Sequence, residues 1–314
     1  MAYNLDNWQI QASVRNRPHR ILVTEEEQGK VFFPIRLVPV AQHPSITSLG
    51  PSAVRDILVK RLYTYLDFTT ILEVGLVSPI TGTIALRKLG IALPNKMYHD
   101  ATKILTDEGY HAQQSDSMVS QVERITGVSH AFSDTPVLLL RLEAILEEVS
   151  IEYRQLIKLF FAIISETLIS SILSSVPRDN SVVSAIREIV ADHAADEARH
   201  HAFFADVFRF CWPMLSESER TIIGPLLPRL VYAFLEPDFS SVKSWLVDLP
   251  LTSNQIEAII ATSYPKEEVV KDIQKAAYPT LQLFKENNVL ADTITADAFY
   301  DSGLIFNQSE MATA

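Results

Sequence analysis

Two long apolar stretches of this sequence each contain a single charged residue, and in both it is a glutamate. The stretch 68–86, FTTILEVGLVSPITGTIAL, has only Glu73, and the stretch 159–177, LFFAIISETLISSILSSVP, has only Glu166. An ionised carboxylate is costly to bury alone, so it must be neutralised, paired or bound to a cation. Any fold of this chain must therefore supply each glutamate with such a partner.

The pattern of apolar residues predicts a helical protein. Glycine is scarce, with 9 in 314 residues, and long segments repeat apolar residues at the helical spacing. We expect an all-α fold, a four-helix bundle core with additional helices and a short irregular or extended N-terminal segment. The predicted helices lie near 52–77, 95–126, 135–147, 149–175, 180–211, 217–235, 253–262, 266–287 and 292–300.

Capping residues and prolines predict helix boundaries, and the chain is expected to form a single domain. Asn180 and Ser181 are expected to cap one long helix, and Pro213 to end it. Residues 20–40 are β-branched and contain prolines, which predicts short extended segments. The predicted domain covers 1–314, with an N-terminal extension (1–50), a helical core that contains both lone glutamates (51–212) and further C-terminal helices (213–314).

Each lone glutamate is followed, in the next long helix, by the motif Asp-Glu-x-x-His: DEGYH at 107–111 and DEARH at 196–200. Positions i and i+3 share a helix face, so each Glu-x-x-His can bind one ion, and the lone glutamates complete or bridge the sites. Four carboxylates balance two divalent cations, and carboxylate with imidazole suits iron or manganese. The expected ligands are Glu73, Glu108, His111, Glu166, Glu197 and His200.

Three nearby residues extend this pattern. Asp107 and Asp196 can accept the second N–H of a ligand imidazole, and the sequence leaves open whether each serves its own histidine or that of the other repeat. His193 lies on the same face as Glu197 and predicts an additional nitrogen ligand on the ion of the second repeat. His201 can also reach Glu197, but His200 matches the first repeat.

Composition limits the partners and the location. A net charge of −11 argues against nucleic acid or an anionic membrane surface as the main partner. The single cysteine, Cys211, allows no intrachain disulfide and fits a reducing cytoplasm. The first 17 residues lack the apolar core of a secretory signal, and the apolar stretch 156–173 contains Lys158 and Glu166. We expect a cytoplasmic protein with no membrane span.

At these residues the sequence resembles the ferritin-like di-iron carboxylate proteins. It is most similar there to the di-iron N-oxygenases of the p-aminobenzoate N-oxygenase type, over roughly residues 8–240. The resemblance rests on the two motifs, both lone glutamates and NWQIQASVRNRP near the N-terminus, and His193 is its most specific mark. It implies the ligand set Glu73, Glu108, His111, Glu166, His193, Glu197 and His200.

The same resemblance implies an activity. Two iron ions, for which manganese could substitute, would react with O2 and oxidise the nitrogen of a small amine to a hydroxylamine, nitroso or nitro compound, as in secondary-metabolite biosynthesis. The electrons would come from an external donor. No glycine-rich dinucleotide motif is visible, and one cysteine cannot hold an iron–sulfur cluster.

Residues one or two turns from a ligand on its helix are expected to line the substrate pocket. Phe68 favours an apolar pocket, which argues against p-aminobenzoate itself, and the nearest cation, Arg61, lies three turns from Glu73. Tyr65 and Phe68 have core packing as their alternative role. The expected pocket residues are Tyr65, Phe68, Thr69, Ala162 and Ser170.

Other functions compete with N-oxygenation. One alternative is a different di-iron oxidase: a C–H hydroxylase, a desaturase, or a radical generator that would use Tyr110. Another is a non-enzymatic iron-binding protein. The apolar surface near 215–235 predicts either a homodimer interface or a face that packs under the C-terminal helices.

Overall fold

The computed structural model describes residues 3–22, 29–132, 136–168 and 170–305, with the backbone alone at 170 and 171. Within these ranges the fold is all-α, as predicted, and the one β-type pairing is an isolated bridge between Val31 and Val182. The first helices are α1 (Trp8–Gln11), α2 (Ser13–Asn16), α3 (Pro44–Thr47), α4 (Pro51–Leu72), α5 (Ser78–Ala85), α6 (Asn95–Thr126), α7 (Val137–Glu147) and α8 (Ile151–Leu168). They are followed by α9 (Ser170–Ser175), α10 (Ser184–Met214), α11 (Glu217–Ile223), α12 (Leu227–Leu235), α13 (Phe239–Leu246), α14 (Ser253–Ser263), α15 (Lys266–Glu286) and α16 (Thr293–Asp301).

Four long helices form the bundle that the sequence predicts. Helix α4 packs on α6, α6 on α10, and α10 on α8. Helix α8 in turn contacts α5 and the turn 73–77 that joins α4 to α5, which closes the bundle. The two motif helices, α6 and α10, are therefore neighbours, and the two helical segments that carry the lone glutamates lie beside them.

Two apolar clusters fill the bundle, one on each side of a buried polar layer. Helix α6 runs from the first cluster, at Ile104, to the second, at Met118, and α10 runs the opposite way, from Val190 to Phe203. Between these points both helices bury polar side chains, from 107 to 115 on α6 and from 193 to 200 on α10. The motif residues thus lie in the middle of the bundle.

Two predicted boundaries of helix α10 are wrong. Helix α10 begins at Ser184 and not near Asn180, because the backbone of 181–183 pairs with Val31: Val31 N donates to Ser181 O at 2.8 Å and Val183 N donates to Val31 O at 3.0 Å. That pairing holds the chain extended up to Val183. Pro213 does not stop the helix, which continues to Met214.

The N-terminal region and one C-terminal helix also differ from expectation. Among the described residues of 20–40, the extended segments predicted there are replaced by two 3-10 helices, Ile35–Leu37 and Pro39–Gln42, and by the single bridge at Val31. The prolines favour these turns because each fixes its own φ. The predicted helices do not include α13, whose N-cap Asp238 accepts from the N–H groups of Ser240 and Ser241.

The apolar segment 215–235 packs within the described chain. Leu227, Leu230 and Val231 are fully buried, and α12 contacts α7, α8 and α15. Of the two alternatives for this surface, packing under the C-terminal helices is the one observed. Two helical stretches, Pro51–Ala85 and Ile151–Ser175, have the length and apolar composition of a membrane span. The apolar window of the second is 87% buried inside the protein, as in a core helix.

Candidate metal centre

The structure brings together all seven residues that were predicted as metal ligands. Four helical segments contribute them, and each residue is at least 94% buried because the two apolar clusters enclose the layer on both sides. They are Glu73 at the end of α4, Glu108 and His111 on α6, Glu166 on α8, and His193, Glu197 and His200 on α10.

Glu73 is positioned by a π-helical turn. The α-helix α4 ends at Leu72, and residues Glu73–Val77 form one turn of π-helix before α5 continues. A π turn adds a residue to the helical repeat and changes the direction of the side chains that follow, and such turns are frequent at functional sites. Glu73 is the first residue of this turn, and its carboxylate lies 3.1 Å from His111 Nδ1 and 3.0 Å from His193 Nε2.

The seven side chains form two groups that share Glu197. In each group the donor atoms lie within 4.8 Å of one another, close enough to hold one metal ion. The rings of His111 and His193 are 4.3 Å apart between centroids, so His193 lies with the histidine of the first repeat. The sequence had placed it with the ion of the second repeat. The first group is Glu73, His111, His193 and Glu197; the second is Glu108, Glu166, Glu197 and His200.

The difference follows from the place of Glu197 between the groups. His193 Nε2 and His200 Nδ1 approach the same oxygen, Glu197 Oε1, at 3.2 and 3.1 Å. The helix carries His193 one turn before Glu197 and His200 almost one turn after it. The two histidines therefore lie on opposite sides of a shared carboxylate, and each joins a different group.

Several carboxylate oxygens in these groups lack a hydrogen-bond partner. Glu108 Oε1, Glu166 Oε2 and Glu197 Oε2 are buried without one among the residues that the structure describes. Glu108 Oε1 lies 3.1 Å from His200 Nδ1, but not in hydrogen-bond geometry. Buried polar atoms are nearly always satisfied, so orphans call for an explanation such as an ion. Carboxylate and imidazole donors of this number and burial fit divalent transition metals.

The glutamates of the two groups have shifted pKa values, because several carboxylates are buried close together. Burial raises the pKa of Glu166 well above its usual range, and the neighbouring carboxylates raise it further. Burial also acts to raise the pKa of Glu73, but the charges of His111 and His193 outweigh it and lower that pKa to about 2. Without a metal ion, the carboxylates depend on the histidines for positive charge.

The two aspartates cross between the repeats. His200 Nε2 lies 3.2 Å from Asp107 Oδ2, and His111 Nε2 lies 3.1 Å from Asp196 Oδ2. Each aspartate therefore serves the histidine of the other repeat, which the sequence left open. A carboxylate on Nε2 holds the proton there and leaves Nδ1 free to face the metal group. Both aspartates are fully buried.

The sequence did not identify the partners of these aspartates in the N-terminal segment. The Trp8 indole N–H donates to both oxygens of Asp107, at 2.9 and 2.8 Å. The Ser13 backbone N–H lies 3.2 Å from both oxygens of Asp196, which also accepts from the Arg199 side chain. These contacts join residues far apart along the chain, and neither residue has a spacing that indicates them.

The predicted pocket residues are in different surroundings. Tyr65 lines a small cavity of about 20 Å³ beside His111 and His193, and its buried hydroxyl interacts with the Thr69 side chain. Thr69 is buried one helical turn further along α4. Phe68 and Ala162 belong to the first apolar cluster, Phe68 at its edge and Ala162 fully buried. The side chain of Ser170 lies outside the described residues.

Arg61 and Arg20, two arginines that could supply a cation to the pocket, are both engaged by other side chains. Arg61 lies over the rings of Phe33 and Trp245, on the side of the second apolar cluster. Arg20 borders the small cavity but is paired with Asp192 and Glu188. Burial lowers the pKa of His201, which belongs to neither metal group.

Comparison with known proteins agrees with this site. The chain matches the family described as p-aminobenzoate N-oxygenase AurF over residues 21–286. A relative named 4-aminobenzoate N-oxygenase, from Streptomyces thioluteus, is 20% identical over 212 residues, which cover 67% of this chain and 63% of the relative. The match spans all four helical segments that carry the candidate ligands. The chain belongs to the p-aminobenzoate N-oxygenase AurF family.

Proposed function

We propose that this protein is a di-iron, O2-dependent N-oxygenase that oxidises the nitrogen of a small amine. The observation that carries the proposal is the pair of buried donor groups that share Glu197, with His193 as a third nitrogen donor. Membership of the AurF family supports the same reaction class. The name of the Streptomyces thioluteus relative, 4-aminobenzoate N-oxygenase, supports an aromatic amine as the first substrate class to examine.

We assign one ion to each donor group. Glu73, His111 and His193 would hold the first ion, and Glu108, Glu166 and His200 the second, with Glu197 between them. The four glutamates supply four negative charges, which balance two divalent cations. The unpartnered oxygens of Glu108, Glu166 and Glu197 support this assignment. Iron is the proposed metal, and manganese fits the same donors.

The iron ions would activate O2, and the protein orients their ligands and excludes water from them. Asp196 and Asp107 hold the Nε2 protons of His111 and His200, so that both Nδ1 atoms face the metal groups. The buried layer between the two apolar clusters excludes bulk water from the donors. Exclusion of water protects a reactive oxidant from side reactions.

The proposed reaction balances with an external reductant. In its first step one oxygen atom of O2 is inserted into an N–H bond of the amine, which gives a hydroxylamine. The other oxygen atom becomes water, and this takes two protons and two electrons. The electrons come from a separate donor protein or small reductant. Further rounds would give the nitroso and nitro compounds.

Among the predicted pocket residues, Tyr65 has the strongest support as a substrate contact. It lines the small cavity beside His111 and His193 of the first donor group. The cavity holds about 20 Å³, roughly the space of one water molecule, so an amine would have to widen it. Thr69, Phe68, Ala162 and Ser170 stay predictions for the pocket wall. Arg20, which is paired with Asp192 and Glu188, is not free to bind a substrate carboxylate.

Three other expectations also stay predictions. They are a single domain over 1–314, a cytoplasmic location and a homodimer. The surface that suggested a dimer is packed against α7, α8 and α15, so a dimer would need a different face.

The test is anaerobic loading with Fe(II), followed by exposure to O2 with 4-aminobenzoate, other aromatic amines and aliphatic amines. We expect about two irons per chain and a product that has gained oxygen on nitrogen, identified by mass spectrometry with ¹⁸O2. Glu166→Gln is the test variant, because it replaces a buried carboxylate of the second metal group by a neutral amide. Glu143→Gln is its control, since that carboxylate is exposed and paired only with Lys158.

Each result has a distinct meaning. Loss of iron and product in E166Q, with both retained in E143Q, supports the proposal. Hydroxylated carbon or a desaturated product would replace N-oxygenation by another di-iron oxidation, and a tyrosyl radical signal would indicate the radical generator. Iron that binds without any oxidised product would indicate a binding protein.

A further inference from the structure

The N-terminal segment, residues 3–16, covers the outer side of the candidate metal centre. Its helix α2 contacts both α6 and α10, the two motif helices. Tyr3, Leu5, Trp8 and Ala12 are buried, and Lys103 Nζ donates to Leu5 O at 3.0 Å. The segment is therefore packed on the bundle and not merely adjacent to it.

Within this segment Trp8 makes an unusual contact for a tryptophan. Its indole N–H is shared between both oxygens of Asp107, at 2.9 and 2.8 Å, and the ring is 7% exposed. Asp107 is fully buried and also accepts from His200 Nε2 at 3.2 Å. Trp8 therefore stands at the start of a chain of contacts that leads through Asp107 to His200.

We propose that Trp8 is a positioning residue for the second metal ion, the one assigned to Glu108, Glu166 and His200. The inference rests on the proposed metal centre. A buried carboxylate with one donor can rotate about its side-chain torsions, whereas a carboxylate held from both sides keeps its orientation and that of the imidazole it serves. Partners outside the ligand set affect metal affinity by about 10–100-fold.

The first ion has a separate support. Asp196, which serves His111, is held by the Ser13 backbone N–H and by the Arg199 side chain. Within the part of the chain that the structure describes, Trp8 donates to Asp107 and makes no hydrogen bond with Asp196 or His111, so its loss should weaken the second ion more than the first. The segment thus holds the two halves of the centre through two different residues, Trp8 and Ser13.

The protein offers a matched control. Trp245 is 5% exposed, and its indole N–H donates to Thr64 Oγ1 at 2.9 Å, away from both donor groups. Trp8→Phe and Trp245→Phe each remove one indole hydrogen bond from a buried ring. A purely structural role predicts similar effects of the two substitutions on metal binding.

The experiment titrates the metal-free proteins with Fe(II) or Co(II) against a competing chelator, with circular dichroism to check folding. We expect two ions on the wild type and on W245F, and about tenfold weaker binding of one ion in W8F, the lower end of the range for such partners. In an Asp107→Ala background, W8F should have no further effect. Equal titrations of W8F and W245F, or additive effects with D107A, would overturn the inference.

One further variant and one further outcome complete the test. If W8F does not fold, the amino acid benzothienylalanine, introduced at position 8 alone, replaces the indole N–H by sulfur at nearly the same ring shape and should reproduce the tenfold loss. If it binds both ions as tightly as the wild type, the inference is wrong. A wild type that binds no pair of ions would instead refute the proposed metal centre itself.

Discussion

The histidines of the candidate centre should make the stability of the metal-free protein fall as the pH rises. Burial and the neighbouring His111 act to lower the pKa of His193, but the charge of Glu73 and hydrogen bonds to Glu197 and Glu73 raise it from 6.5 to about 9. The folded state then binds a proton more tightly than the unfolded chain. The stabilisation is complete below pH 6.5 and is lost as the pH rises through about 9.

The magnitude follows from the size of the shift. At about 1.4 kcal/mol per pKa unit, His193 alone contributes roughly 3 kcal/mol, which corresponds to a fall in Tm of about 5–10 °C. The pKa of His111 is also raised well above normal, because the charge of Glu73 and the hydrogen bond to Asp196 outweigh burial. Deprotonation of His111 at higher pH therefore destabilises the folded protein as well.

The assay is thermal unfolding of chelator-treated protein between pH 6.5 and 9. Metal-loaded protein should show a weaker fall, because a ligand histidine is held deprotonated by the metal. In the metal-free state, the Tm of the His193→Gln variant should fall less over this pH range than that of the wild type. His201→Gln should keep it, since burial lowers the pKa of His201 and gives it the opposite dependence. A Tm of the metal-free wild type that is constant or rises over this range would refute the reasoning.

Three further predictions use matched variants. His193→Gln removes the nitrogen that lies 3.0 Å from Glu73 Oε1. Elemental analysis should show the iron content fall from about two to about one ion per chain. The control variant H201Q should keep both ions, and equal iron contents in the two variants would contradict the two-group assignment. Asp196→Asn should weaken metal binding by about 10–100-fold in a chelator competition. Its control is Asp192→Asn, whose carboxylate pairs with Arg17 and Arg20 instead, and similar losses in both would argue against the role of Asp196. Gly224→Ala should destabilise by about 1–3 kcal/mol in denaturant unfolding, because its Cβ would collide with the Thr295 side chain, whereas Gly82→Ala has open space and should not destabilise.

The bundle and its buried acids could be predicted because the signal is local. A lone glutamate in an apolar helix, such as Glu166, has few physical explanations, and a motif repeated on two helices restricts them further. The seven predicted ligands converge for that reason. The grouping of His193 could not be predicted, because it depends on which side of Glu197 each neighbouring helix lies.

Contacts between distant segments were also beyond the sequence. Nothing in the spacing of Trp8 or Ser13 indicates that they reach Asp107 and Asp196 across the bundle. The late start of α10 has the same origin, since it results from the pairing of Val31 with residues 181–183. Short helices such as α13 carry too few turns for their periodicity to be distinctive.

The polar layer between the two apolar clusters has a consequence for dynamics. Each cluster can keep its own packing while the layer between them opens, because few apolar contacts cross the plane of the glutamates and histidines. Amide hydrogen exchange in the metal-free protein should therefore be fastest, among the buried turns of α6 and α10, at 107–115 and 193–200 rather than toward Ile104 or Phe203. Local opening of this kind at the centre of a long bundle would give incoming ions a path to ligand atoms that are buried in the folded state.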